Sequence, residues 1–186
     1  MIREEWLMLL TDKLRPMFEE AGVPLPECIR CSCGWPWGSK TALAQCWARH
    51  LADDKINQIF VAPTLVKSFK VAEVMVHELL HAALPDKVGH GKPFKKGMKA
   101  LGLEGKAKAT EAGKELAERL HAILATMEPY PHAKLHVNDR KKQGTRMLKL
   151  TCSDCGYLVR TTAQWIETGL PTCCCGGEFV QEKVVE

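Results

Sequence analysis

The chain has 186 residues, 46% of them hydrophobic, and a net charge of +4, which suits one ordinary domain plus a small appendage. No run approaches the roughly 18 apolar residues of a membrane span, and Glu4 and Glu5 in a start without a small-residue cleavage site exclude a secretory signal. The expected setting is therefore the reducing cytoplasm, with no membrane partner, where nine cysteines point to metal ligands ahead of a disulfide framework.

A helix is predicted over residues 2–21, where Ile2, Trp6, Leu9, Leu10, Leu14, Met17 and Phe18 recur at helical spacing and Gly22 with Pro24 gives a stop. Pro16 inside that pattern predicts a kink or a break. Segments 28–34, 41–48 and 57–63 are strand-like and bounded by turn residues, which predicts a small three-stranded antiparallel sheet. On such strands Cys31 and Cys33 share a face and Cys28 opposes them; with Cys46 they are expected as small core residues, ahead of a third metal site. Trp35, Trp37 and Trp47 are expected to line the core or a groove, ahead of a wall facing the substrate.

A long helix is predicted over 68–84, with an apolar stripe of Val71, Val74, Met75, Leu79 and Ala82, Ser68 as its cap and Pro85 as its stop. A loop leads to a short helix at 94–101, Gly102 and Gly105 break the chain, and a further helix over 109–127 puts Leu116, Leu120, Ile123 and Leu124 on one face. Residues 128–146 are polar, basic and punctuated by Pro129, Pro131 and Gly144, and are expected to be a linker, with Tyr130 and His132 in a turn of it ahead of a return to the cleft to steady an oxyanion. Arg140, Lys141, Lys142, Arg146 and Lys149, with no acid among them, are a candidate phosphate contact, to be weighed against a merely solvated linker. The order of elements predicts an α+β domain at 1–127, the linker at 128–146 and a cysteine-rich module at 147–186.

Within the long helix, His77 and His81 are four apart and share one face, with Glu78 between them in the pattern His-Glu-x-x-His. Two neutral imidazoles and a third ligand hold Zn²⁺ with an open position, where water is acidified and the glutamate takes its proton. Leu84 and Lys87 occupy the places where the metzincin pattern needs glycine and histidine, which excludes that class. Glu104 and Glu111 are available as third ligands, but His90, in a glycine-flanked loop just past the helix, is the better candidate. The blander alternative, an amphipathic helix with incidental histidines, would leave Glu78 on a nearly uncharged helix without a partner.

In the module, Cys152 and Cys155 form a Cys-x-x-Cys-Gly zinc knuckle, and the second pair of ligands comes from Cys173, Cys174 and Cys175. Cys173 and Cys175 are chosen because Cys175-Gly176 repeats Cys155-Gly156, which predicts a structural Zn²⁺ in a zinc ribbon.

The stretch HELLHAALPDKVGHGKPF resembles the SprT-like zinc metallopeptidase domain of bacterial and phage proteins and of the eukaryotic relative Spartan, through His77, Glu78, His81 and Ala82, then His90, Gly91 and Phe94. The resemblance covers most of the chain, ribbon included, and the loop between His81 and His90 is shorter than in Spartan. It implies a zincin-like fold, a catalytic zinc on His77, His81 and His90, Glu78 as the catalytic residue, and protein substrates near DNA. The rival expectation is a nucleic-acid-binding regulatory protein whose ribbon and basic linker do the work, with a structural or vestigial histidine site; a third is a non-peptide hydrolase.

Overall fold

The computed structural model describes residues 1–39, 41–136 and 147–181 and divides the chain into two units, Met1–Val137 and Asn138–Glu186. Helix α1 (Arg3–Glu20) buries Trp6, Leu7, Leu10, Leu14, Met17 and Phe18 on one face, as their spacing requires. It runs past Pro16 without ending. The proline and Asp12 are both exposed, so the carbonyl that loses its helical partner faces water.

Strands β1 (Ile29–Cys33), β2 (Ala44–Trp47) and β3 (Asn57–Val61) form a sheet of order β1-β3-β2. β2 is antiparallel to β3, with Ala44 opposite Val61, but β1 is parallel to β3, with Ile29 opposite Asn57. The expected antiparallel sheet is therefore mixed, because the long β1–β2 connection carries β2 across to the far side of β3. A 3₁₀ turn, Arg49–Leu51, follows β2.

Helix α2 (Ser68–Ala83) lies against β2 and β3 and buries Val71, Ala72, Met75, Val76, Leu79 and Leu80. Ser68 is not its cap: Lys67 stands at that position, and the Ser68 hydroxyl instead accepts the Tyr130 backbone N–H at 2.9 Å. Helix α3 (Lys92–Ala100) crosses α2 closely at Gly97, where an added Cβ would stand 2.6 Å from a Leu80 methyl. Strands β4 (Leu103–Lys106) and β5 (Ala109–Ala112) then form a hairpin, and helix α4 (Lys114–Leu124) buries Leu116 and Leu120. The helix predicted from residue 109 thus begins five residues later. Glu73 of α2 takes the Ala112 N–H at 2.7 Å, a tertiary bond that no local helical propensity reveals.

Residues 128–136, expected as linker, lie along the first unit. Trp6 Nε1–H donates to the Glu128 carbonyl at 2.7 Å, Leu135 N–H donates to the Pro63 carbonyl at 2.9 Å, and the Tyr130 ring lies 4.9 Å from that of Trp6.

In the second unit, β6 (Leu148–Cys152), β7 (Leu158–Thr161) and β8 (Phe179–Gln181) pair antiparallel in the order β7-β6-β8, with a short helix α5 (Ala163–Thr168) after β7. Its buried core is Leu150, Cys152, Cys173 and Phe179, too little apolar surface to stabilise a unit of this size alone. Among the described residues no helix is long and apolar enough to cross a membrane.

The α2–α3 crossing yields a prediction. Gly97→Ala should lower the stability of the first unit by about 1–3 kcal/mol, read as a fall in its thermal midpoint, because buried Leu80 has nowhere to move.

Candidate metal centres

Helix α2 presents His77 and His81 one turn apart, and the backbone after it turns through Lys87 (φ 69°) and Gly89 (φ 52°) to bring His90 back to them. His90 Nε2 lies 3.2 Å from His81 Nε2 and 3.3 Å from His77 Nε2. Tetrahedral coordination with Zn–N bonds of about 2.0–2.1 Å sets nitrogen–nitrogen edges of roughly 3.3 Å, so the three atoms fit one such ion. All three rings rest on Phe94, with centroids 5.0, 4.4 and 4.8 Å from it for His77, His81 and His90.

Burial, with a smaller contribution from His90, pushes His77 down to about 4. Burial, then His77 and His90, pushes His81 down to about 3, and burial also lowers His90. The imidazoles are therefore neutral at neutral pH and their lone pairs are free for a cation. Glu78, only 8% exposed, is pushed up to about 7 by burial, opposed in part by the backbone N–H of Cys46. It lines a cavity of about 430 Å³ together with the three histidines, Cys46 and Lys108. A second cavity of about 440 Å³ shares His77, Glu78 and Ala44 as walls.

Two residues that the motif does not contain hold this geometry. Thr110 Oγ1 lies 2.8 Å from His77 Nδ1, which leaves His77 Nε2 to face the other imidazoles. Glu73, 6% exposed, pairs with Lys70 and accepts the Ala112 N–H, clamping β5 and with it Thr110 against α2. The sequence holds a signal for Glu73, an acid one turn before His77 on an apolar helix, but none for Thr110. Glu104 and Glu111, the other sequence candidates for third ligand, stand apart from the histidine group.

The second unit gathers Cys152, Cys155, Cys173 and Cys175, and Cys174 stands outside the group, exposed. Cys152 and Cys175 Sγ are 3.5 Å apart, as are Cys155 and Cys173 Sγ, far beyond a disulfide and near the roughly 3.8 Å edge of a Zn–thiolate tetrahedron. Gly156 (φ 73°) and Gly176 (φ 85°) make the two tight turns after the ligand pairs. Each of the two groups could hold a metal ion, and both donor sets suit zinc.

Cys31 is buried in the core and Cys46 packs against it, but Cys28, expected to pack with them, does not. Cys31 and Cys46 both stand opposite Ile59 on the strands flanking it, and burial pushes their thiols up to about 11 and about 12, unfit for metal. Cys28 is exposed, and among the described residues neither it nor Cys33 joins a candidate metal group. Trp35 and Trp37, expected to line the core or a groove, are 51% and 75% exposed and line neither of these two cavities; of the three only Trp47 is half-buried, its ring 6.1 Å from that of Trp37. Tyr130 and His132 lie away from the cleft; His132 donates from Nε2 to the Pro63 carbonyl at 2.9 Å and receives Arg3 at Nδ1. Arg140, Lys141, Lys142 and Arg146 lie outside the described residues, and Lys149 stands on β6 opposite Arg160.

Two measurements follow from these geometries. Thr110→Val should weaken zinc at the histidine site by about 10-fold or more in chelator competition, with Thr110→Ser close to the parent. A strong chelator should unfold the second unit and leave the helical signal of the first largely intact, with zinc restoring what was lost.

The chain matches no protein-family model, no curated protein and no solved structure.

Proposed function

We propose that the chain is a zinc-dependent endopeptidase, with His77, His81 and His90 as the ligands of the catalytic metal and Glu78 as general base. Cys152, Cys155, Cys173 and Cys175 would hold a second, structural zinc. The observation that carries the reading is the meeting of three neutral imidazoles and one buried carboxyl on the wall of a single cleft. A zinc ion on three nitrogen ligands supplies Lewis acidity toward a carbonyl oxygen and acidifies water.

The rest of the chemistry belongs to the chain. Glu78 is positioned to accept a proton from the attacking water and to deliver it to the leaving amine. Its pKa, pushed up to about 7 by burial, suits a group that must both take and give a proton. Substrate alignment is supported by β2. It is the edge of its sheet, and its residues Ala44 and Cys46, which alternate with those bonded to β3, line the cleft. An extended peptide can pair with that edge at Ala44, beside the Cys46 N–H that Glu78 takes, and carry its scissile bond past Glu78. The SprT-like signature supports the same assignment of roles, and nine unbridged cysteines suit a reducing, cytoplasmic setting.

The rival reading, a structural or vestigial histidine site in a regulatory protein, gives Glu78 nothing to do. A buried carboxyl with no ion pair among the described residues is costly to keep unless it acts. Purified protein should carry two zinc ions per chain and cleave casein or itself. Glu78→Gln should retain both metals and lose about 100-fold or more of the rate, whereas His90→Ala should lose one metal and the activity together. Undiminished cleavage by Glu78→Gln, or a fully zinc-loaded protein that cleaves no protein, contradicts the assignment.

A further inference from the structure

The two cavities at the histidine site have five wall residues in common: Ala42, Ala44, His77, Glu78 and Lys108. Lys108 is the one lysine or arginine among them. The other charged side chains of these walls are engaged or stand on one side only. Lys70 pairs with Glu73, and Asp86 lies 3.1 Å from His50 Nδ1 and 3.9 Å from Arg49 Nε. Lys87 and Glu111 each line a single cavity. Among the described residues Lys108 has no ion-pair partner.

The fold sets this lysine in place. It stands in the turn between β4 and β5, and the hairpin is held to α2 at two points. Glu73 accepts the Ala112 N–H at 2.7 Å, and Thr110 Oγ1, two residues after Lys108, lies 2.8 Å from His77 Nδ1. The charge is felt at the site, since after burial Lys108 is the second influence that lowers His90. A cation beside three imidazoles that could hold a metal ion opposes the charge of that ion, so it has no part in gathering it. Its use must be toward something negative that enters the cleft. We infer that Lys108 is a catalytic residue whose ammonium stabilises the negative charge that develops on the scissile carbonyl oxygen. The inference rests on the peptidase reading and adds to it a residue that the His-Glu-x-x-His pattern does not contain.

The chemistry gives the charge a place to act. Water bonds to the carbonyl carbon and yields a proton to Glu78, while the C=O pair moves onto oxygen, which becomes anionic. The pair then returns, the C–N bond breaks, and the proton on Glu78 passes to the leaving nitrogen. The carbon keeps the hydroxyl of the water and the amine its proton. A positioned ammonium binds that oxygen more strongly while it is anionic than in the bound substrate, and this difference is what lowers the barrier. Lysine suits the task, with three donors on a stem that can follow the oxygen as the carbon turns from planar to tetrahedral. Lys108 is exposed in the free chain, and a polypeptide lying in the cleft would cover it and strengthen its field. The other use of a lone cation, a pocket for an acidic substrate side chain, is disfavoured by Glu111, whose carboxylate lines the second cavity with it.

The test compares the parent, Lys108→Met and Lys108→Arg as full zinc-loaded chains, on a peptide spanning a bond that the parent cleaves in casein. Lys108→Met should lower kcat about 10- to 100-fold and leave KM within about twofold, and Lys108→Arg should restore most of the rate. A phosphinic peptide of the same sequence carries a tetrahedral anion in place of the reacting carbon. Calorimetry should show it bound more weakly by Lys108→Met, by about the factor lost in kcat. In chelator competition Lys108→Met should hold zinc at the histidine site at least as tightly as the parent, the opposite of what loss of a structural support gives. Parent-like kcat in Lys108→Met, or weaker zinc binding by it, overturns the inference. So does a rise in KM confined to peptides with Asp or Glu beside the bond, which would assign Lys108 to side-chain recognition. A parent that cleaves no protein overturns the peptidase reading and this inference together, whereas cleavage by the parent that Lys108→Met leaves unchanged overturns this inference alone.

Discussion

Three imidazole nitrogens facing one another at 3.2–3.3 Å are the constraint on which the first unit is organised. Neutral imidazoles that turn their lone pairs to a common point repel unless something positive lies between them. The surrounding structure is arranged to hold them there. Phe94 supplies a floor under all three rings, and the backbone of the loop before it adopts left-handed turns at Lys87 and Gly89 to deliver His90. Gly97 lets α3 approach α2 closely enough for that floor to reach the rings. Glu73 ties the β4–β5 hairpin to α2, and the hairpin in turn sets Thr110 against His77. A displacement in any of these elements reaches the same three atoms.

The two candidate centres differ in what they do for their units. The first unit has a continuous apolar core from Trp6 to Tyr130 and uses its histidines on the wall of a cleft, where burial keeps them neutral. The second has a core of Leu150, Phe179 and two of its own candidate ligands, Cys152 and Cys173. There four cysteines that could hold a metal ion stand where a larger domain would have more apolar burial, as small modules often arrange. The requirement on backbone is correspondingly severe: a Cβ on Gly177 would stand 2.7 Å from Cys152 Sγ.

Legibility in the sequence follows the range of the interactions. Helices α1 and α2, the His77–His81 pair and the turn glycines after the cysteine pairs depend on neighbours within a few residues, and their spacing could be read directly. The return of His90 toward the pair was legible from loop chemistry, because a flanking glycine marks a chain free to turn back. What escaped was set by distant partners. The parallel pairing of β1 depends on where a long connection leads, and β5 is tied to α2 by Glu73, far away in sequence, which accepts the Ala112 N–H. Tyr130 looks like part of a linker until Trp6 and Ser68 are seen beneath it. Aromatic bulk suggested that Trp35 and Trp37 line the core or a groove, yet the turn that carries them leaves both largely in solvent.

The most direct measurement is anomalous scattering at the zinc edge from crystals of the intact, zinc-loaded chain. The account predicts a peak about 2.0–2.1 Å from Nε2 of His77, His81 and His90, with the Glu78 carboxyl beside it but not bonded to it. A zinc-loaded crystal with His90 turned to solvent, or with the Glu78 side chain directed into the core, would contradict it.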